Sequence, residues 1–245
     1  MVAFDSSIED ITIQDVNLDG QTAKGLYAME LYNSYLNVEL INNSSFGGMG
    51  PGGVAYFTDV YESTLIISSI SNWDTNSGGL YAEFFESNTI DLTLIDNSAE
   101  ESVGGFWFSS FVWNTITGTV EGNNGPFVGG GVIEYSESNT IALDFSNNSS
   151  PTNGAMWINS STLNTFSGDV LYNEGGEHGA IYLEDTSSNN NFTGIIDFNT
   201  NTSGTFAGGI TAHYFDSWQG NDIPNVNFGT SGNYPTDWFT NAYQP

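Results

Sequence analysis

Nearly all the residues of this chain that could do chemistry are carboxylates: 29 Asp and Glu stand against one basic residue, Lys24, with two His and no Cys. Asp96, Glu100 and Glu101 cluster after one apolar stretch, and Asp144, Asp169 and Asp197 recur at near-equivalent places in successive units. Two carboxylates at a suitable separation suffice to hydrolyse a glycoside, which makes a glycoside hydrolase the one enzymatic alternative. Stacked like charges also invite a hard cation. Ca2+ accepts carboxylate and carbonyl oxygens in flexible geometry, so these six residues, and Asp10, Asp15 and Asp19 beside them, are the candidate Ca2+ ligands. The chain carries no EF-hand loop. His178 and His213 follow no metal spacing and have no partner Cys, which argues against zinc. A lyase acting on uronates needs a basic residue, and Lys24 is the only one available. No local sequence supports a Ser-His-Asp site. The expectation is therefore a non-enzymatic protein with no catalytic residues and no cofactor apart from a candidate Ca2+.

Three further residue sets have regular spacing. Tyr27, Tyr56, Tyr81, Trp107, Trp157 and Tyr182 recur just after the repeat glycines described below. They read as packing residues; turned outward, Tyr27, Tyr81, Trp107, Trp157 and Tyr182 would form a ladder for stacking on sugar rings. Asn88, Asn114, Asn139, Asn164 and Asn191 precede short apolar runs, four of them within Asn-Thr-Ile or Asn-Thr-Phe. Asn tolerates the left-handed backbone of a sharp corner and its amide can bond to amides above and below, so these five read as a corner ladder. Beside them Thr89, Thr115, Thr140 and Thr165 form a column one residue wide, the basis of an ice-binding alternative. Sequons at Asn42, Asn43, Asn147, Asn148, Asn159, Asn191 and Asn201 would suit a glycosylated surface protein.

The elements that must position these residues are set by a repeat. Glycine followed by apolar residues recurs at Gly25, Gly53, Gly79, Gly105, Gly131, Gly154, Gly179 and Gly209, with spacings of 28, 26, 26, 26, 23, 25 and 30. A second apolar mark follows each glycine: Leu36, Leu65, Ile90, Ile116, Ile141, Phe166, Phe192 and Ile223. Runs such as Ile90-Leu92-Leu94 keep the period of two of a half-buried strand. An apolar residue three before an Asn closes the unit, as in Leu40/Asn43, Leu94/Asn97, Val120/Asn123, Phe145/Asn148, Val170/Asn173 and Phe198/Asn201. No helical periodicity is present, and 29 Gly disfavour long helices. A unit of about 25 residues cannot bury its own apolar face, so neighbours must stack. The predicted fold is all-β: a single right-handed parallel β-helix of eight to nine coils, with the handedness taken from the rule for parallel crossovers. Residues 1–24 read as an atypical first coil, 25–214 as the repeats, and 215–245 as a cap or assembly segment.

Composition excludes several partners. A formal charge of −28 leaves nothing to neutralise nucleic-acid phosphates or to attract anionic lipid. No stretch of about 18 apolar residues points to membrane insertion, and the first residues lack the pattern of a signal peptide, so a secreted protein would be present here in mature form.

The paired glycine and Asn marks resemble the passenger repeats of the chlamydial polymorphic outer-membrane proteins, which carry GGA(I/L/V) and FxxN motifs. The nearest in letters are Phe145-Ser146-Asn147-Asn148, Gly154-Ala155-Met156 and Gly179-Ala180-Ile181-Tyr182, and the resemblance spans residues 25 to 212. It implies a surface-displayed, adhesin-like β-helix. Departures are that Phe is often Leu or Val, that Ala is often bulkier, and that no Cys is present. Taken together, the expected function is an extracellular or cell-surface structural module, adhesin-like or the subunit of a filament or surface layer. Its expected partners are further copies of itself, or a glycan or protein of a cell surface. The alternative is a tailspike-like β-helix that binds or depolymerises carbohydrate.

Overall fold

The computed structural model describes residues 2–3, 8–14, 17–19, 26–46, 53–184, 187–212, 227, 232–234, 236 and 238–240. Among them there is no helix, and stacked parallel strands form a β-solenoid of about seven turns. That is slightly fewer than the eight to nine counted from the repeats.

Each turn contributes to three sheets. The first runs through Leu26–Tyr32, Gly53–Tyr61, Ser77–Glu86, Phe106–Val112, Gly131–Glu134, Met156–Asn159, Ile181–Glu184 and Ile210–Ala212. The second runs through Ile8–Gln14, Tyr35–Ile41, Thr64–Ile70, Thr89–Ile95, Thr115–Glu121 and Thr140–Ser146. Short pairs such as Trp73–Asp74, Ser98–Ala99, Ser149–Ser150 and Glu174–Gly175 make the third, bridged at Asn124. All pairings within the turns are parallel, and Leu36, Leu65, Ile90, Ile116, Ile141, Phe166 and Phe192 stand in register. Burial of one face pins that register, because a slip of one residue would turn every inward side chain out.

One continuous apolar column fills the interior. Phe85 stacks on Phe111 at 4.5 Å, and Phe166 on Phe192 at 4.9 Å. The turn that places Phe106, Phe108 and Phe111 in this core has Gly118 where its neighbours have Leu92 and Leu143, which offsets the large rings by volume.

The structure corrects the glycine register. Phe106 pairs with Gly131 and Gly131 with Met156, so the places equivalent to Gly79 and Gly105 are Gly130, Ala155 and Ala180. The preceding column is Gly78, Gly104, Gly129, Gly154, Gly179 and Gly208. A Cβ on Gly104 would lie 2.5 Å from the carbonyl oxygen of Gly129, and one on Gly129 equally close to that of Gly154. The glycine mark therefore records backbone stacked on backbone with no room for a side chain.

At the C-terminal end, Asn227 bridges to Ile195, Tyr234 to Thr200, and Trp238–Thr240 pairs with Ile210–Ala212. These described stretches carry on all three sheets.

Candidate functional site

The asparagine ladders dominate the corners. Between the first and second sheets, Ser34, Ser63, Asn88, Asn114, Asn139, Asn164 and Asn190 are buried one above another. The amides of Asn88, Asn114, Asn139 and Asn164 each donate to the side-chain oxygen of the next rung, at 2.8–3.1 Å from the backbone and 2.9–3.1 Å from Nδ2. Nδ2 also donates to a carbonyl of the preceding turn, such as Val60 or Phe111. Two expectations need correction here. The fifth rung is Asn190, not Asn191, which is exposed in the second sheet and pairs with Thr165. The left-handed residue is not the ladder Asn but the one before it: Ser87, Trp113, Ser138, Leu163 and Asn189 all have φ between 47° and 60°. The bend residue turns the chain, and its successor is thereby aimed inward.

A second ladder, which the sequence reading took only as a closing mark, lies between the second and third sheets. It comprises Asn43, Asn72, Asn97, Asn123, Asn148, Asn173, Asn199 and Asn233, and uses the same bonds. Asn199 takes the place expected of Asn201, and Asn72 joins it. These ladders satisfy buried polar groups in full, as burial requires. The ladders consume Asn43 and Asn148, and Asn159 and Asn201 are buried elsewhere, which removes all four as glycan acceptors.

The acidic candidates are not brought together. Asp169 stacks on Asp144, whose Oδ1 accepts the Asp169 amide at 2.9 Å, and Asp169 Oδ1 accepts the Ile195 amide. Asp197 belongs to a different column, opposite Leu171, and is buried with its carboxylate on the Phe198 amide. Asp96 is exposed at the second corner, while Glu100 and Glu101 are exposed beyond the third sheet. Among the described residues no three His, Asp or Glu side chains form a metal-binding group. Asp15, Lys24 and His213 lie outside the described residues, and only strand placement is described for Asp10 and Asp19.

The repeat aromatics lie on the outer face of the first sheet and pack on one another. Tyr27–Tyr56, Tyr56–Tyr81 and Tyr81–Trp107 have centroids 5.0, 5.3 and 6.1 Å apart, all tilted. Trp107 and Trp157 pack with Phe127 on Val103, Val128 and Val132. Tyr182 stacks on His178 at 4.1 Å. Tyr56 Oη donates to Glu83 and Trp107 Nε1 to Glu134 at 2.9 Å. Burial, then the neighbouring Glu83, pushes the Tyr56 and Tyr81 phenols well above their ordinary value. With ring faces engaged in this way, this column is a packing device. The Thr column, Thr64 to Thr165, is outward and in register, but the next outward column mixes Ile66, Asp91, Thr117 and Ala142. It stays one residue wide.

The open surface of note is one the sequence reading missed: the edge between the first and second sheets. Its middle column is Tyr32, Tyr61, Glu86, Val112, Glu137 and Thr162. Two flanking columns consist of left-handed residues. One holds Glu30, Asp59, Phe84, Ser110, Tyr135 and Ser160; the other holds Asn33, Glu62, Ser87, Trp113, Ser138 and Leu163. Phe84, Trp113, Tyr135 and Leu163 are 50%, 61%, 60% and 53% exposed. A bulky side chain in this conformation costs about 1–2 kcal/mol, and small polar residues fill half of the places in the two columns at less strain. Tyr32 stacks on Tyr61 at 5.0 Å, and beside them Asn33, Glu62, Glu86 and Ser87 complete a hollow of about 360 Å3. Burial, then Asp59, raises the Tyr61 phenol, which stays a hydrogen-bond donor.

No protein-family model, curated protein or solved structure gives a significant match to the chain, so the resemblance to chlamydial passengers finds no support in a family match.

Proposed function

We propose that this protein is a non-enzymatic, extracellular β-solenoid that serves as a surface module, adhesin-like or the building block of a larger assembly. The observation that carries this reading is the pair of saturated Asn ladders flanking one continuous core. The buried polar groups of the ladders are consumed in holding turns together, and the acidic candidates are dispersed rather than gathered into an acid–base pair. A regular rod of this kind presents long faces, which suits attachment and display. The chlamydial-type motifs agree with a surface-exposed role.

The test combines imaging with an assay. Cryo-electron microscopy from low to high salt is expected to show single rods that join end to end as screening offsets the −28 charge. Incubation with a panel of neutral polysaccharides is expected to release no reducing ends. Release that is lost on removing Asp144 and Asp169 together, the one stacked pair among the acidic candidates, would overturn the non-enzymatic reading in favour of depolymerisation. Rods that stay single at every salt concentration would remove the assembly role.

A further inference from the structure

We infer that the edge between the first and second sheets is a binding site for a neutral, extended glycan chain, lying along the rod from the Tyr32–Tyr61 hollow to Leu163. The inference rests on the surface-module reading and names its partner.

Three observations converge on it. First, Phe84, Trp113 and Tyr135 are at least half exposed, hold strained left-handed backbone, and have no ring contact among the described residues. Their faces are open, unlike those of the packed column on the first sheet. Strain of this kind is retained where function uses it. Secondly, the large residues alternate. Phe84 and Tyr135 sit two turns apart in one flanking column; Trp113 and Leu163 sit two turns apart in the other, offset by one turn. Two strand spacings are about 9.6 Å. That approaches the two-residue repeat of an extended β-1,4-linked chain, whose successive rings present opposite faces. The zigzag of platforms answers that alternation, and Glu86 and Glu137 between them offer acceptors to sugar hydroxyls.

Thirdly, charge selects the occupant. A chain at −28 with one basic residue repels uronic-acid and sulfated polymers and, at low salt, the like-charged side of a second copy. A neutral glycan carries no such penalty, and aromatic faces with carboxylate acceptors are the groups that recognise it.

The test uses the full chain and the double variant Trp113→Asn/Tyr135→Asn. Binding is measured on an array of neutral β-linked glycans, with polygalacturonate as the anionic control, and by calorimetry with soluble β-1,4-linked oligosaccharides. The expected result is binding of neutral chains only, weakened about tenfold or more in the variant. The variant's melting temperature should be unchanged or raised by a few degrees, because Asn tolerates the left-handed conformation. A merely structural role for these side chains would instead lower it. Equal binding by variant and parent, or no binding of any neutral glycan, would overturn the inference while leaving the scaffold reading intact. So would a dimer in sedimentation that the variant abolishes, since the edge would then be an interface between copies. Glycan hydrolysis would sink the non-enzymatic reading alone.

Discussion

At the scale of single residues, the ladder asparagines carry the largest stakes. Asn123 Oδ1 accepts two donors from Asn97, and its Nδ2 donates to Leu94 O and Asn148 Oδ1. Asn123→Leu keeps the volume but strands those partners, each at about 1–3 kcal/mol. The expected loss is about 3 kcal/mol or more, read as a fall in melting temperature of roughly 6–12 °C. Asn124→Ala next door, on an exposed side chain bonded to Ser149 Oγ, should stay within about 0.5 kcal/mol of the parent. Equal melting points for both variants would refute the ladder as the source of cohesion. The packed tyrosines carry a pH signature. Tyr56 and Tyr81 titrate above the ordinary phenol value in the folded chain, so the unfolded chain loses these protons first. Their contribution is intact below about pH 10 and is lost as the pH rises beyond it. Melting temperatures from pH 8 to 11 should therefore fall more steeply for the parent than for Tyr56→Phe/Tyr81→Phe. Parallel curves would contradict this.

At the scale of elements, the first-sheet strands begin where glycine lets one turn approach the next. Gly129→Ala places a methyl within 2.5 Å of the Gly154 carbonyl oxygen, which can yield only if backbone moves. Overpacking of this type costs about 1–3 kcal/mol, and circular dichroism melts should register it. Gly204→Ala has open space around it but a left-handed φ of 70°, so its smaller penalty would come from conformation alone. A Gly129→Ala protein as stable as the parent would mean that the turns slide apart freely. The Asn and apolar marks were legible in the sequence. The glycine mark was placed one residue late at Gly131 and one early at Gly154 and Gly179, because the run Gly129 to Gly131 and the Gly-Ala pairs at 154–155 and 179–180 left the letters ambiguous and only strand pairing could choose among them.

At the scale of the molecule, the solenoid is held by nearest-neighbour contacts repeated turn after turn. Its two polar ladders point the same way, each side-chain oxygen accepting from the amide of its N-terminal neighbour, so the rod has a built-in direction. For the assembly proposed above, this direction and the charge call for stacking in one sense, resisted at low salt. The dispersed carboxylates belong to this scale too. Asp144 and Asp169 were rightly seen as neighbours, but with Val170 opposite Ile196 the place level with Asp169 is Ile195, and Asp197, two residues on, falls into another column.

The sequence by itself determined the parallel solenoid, since a repeat of about 25 residues with period-two strands has no other way to bury its apolar side. It determined most of the rungs of the first ladder and most of the apolar register. The tertiary structure alone decided which residues face water. Read as letters, Trp113, Phe84, Tyr135 and Leu163 belong in a core, and Asn97, Asn123 and Asn148 on a surface; the fold places them the other way round. The physical reason is the left-handed residue at each corner, which shifts the in–out alternation within the turn. That shift depends on how the turns stack, and no local pattern of hydrophobicity records it.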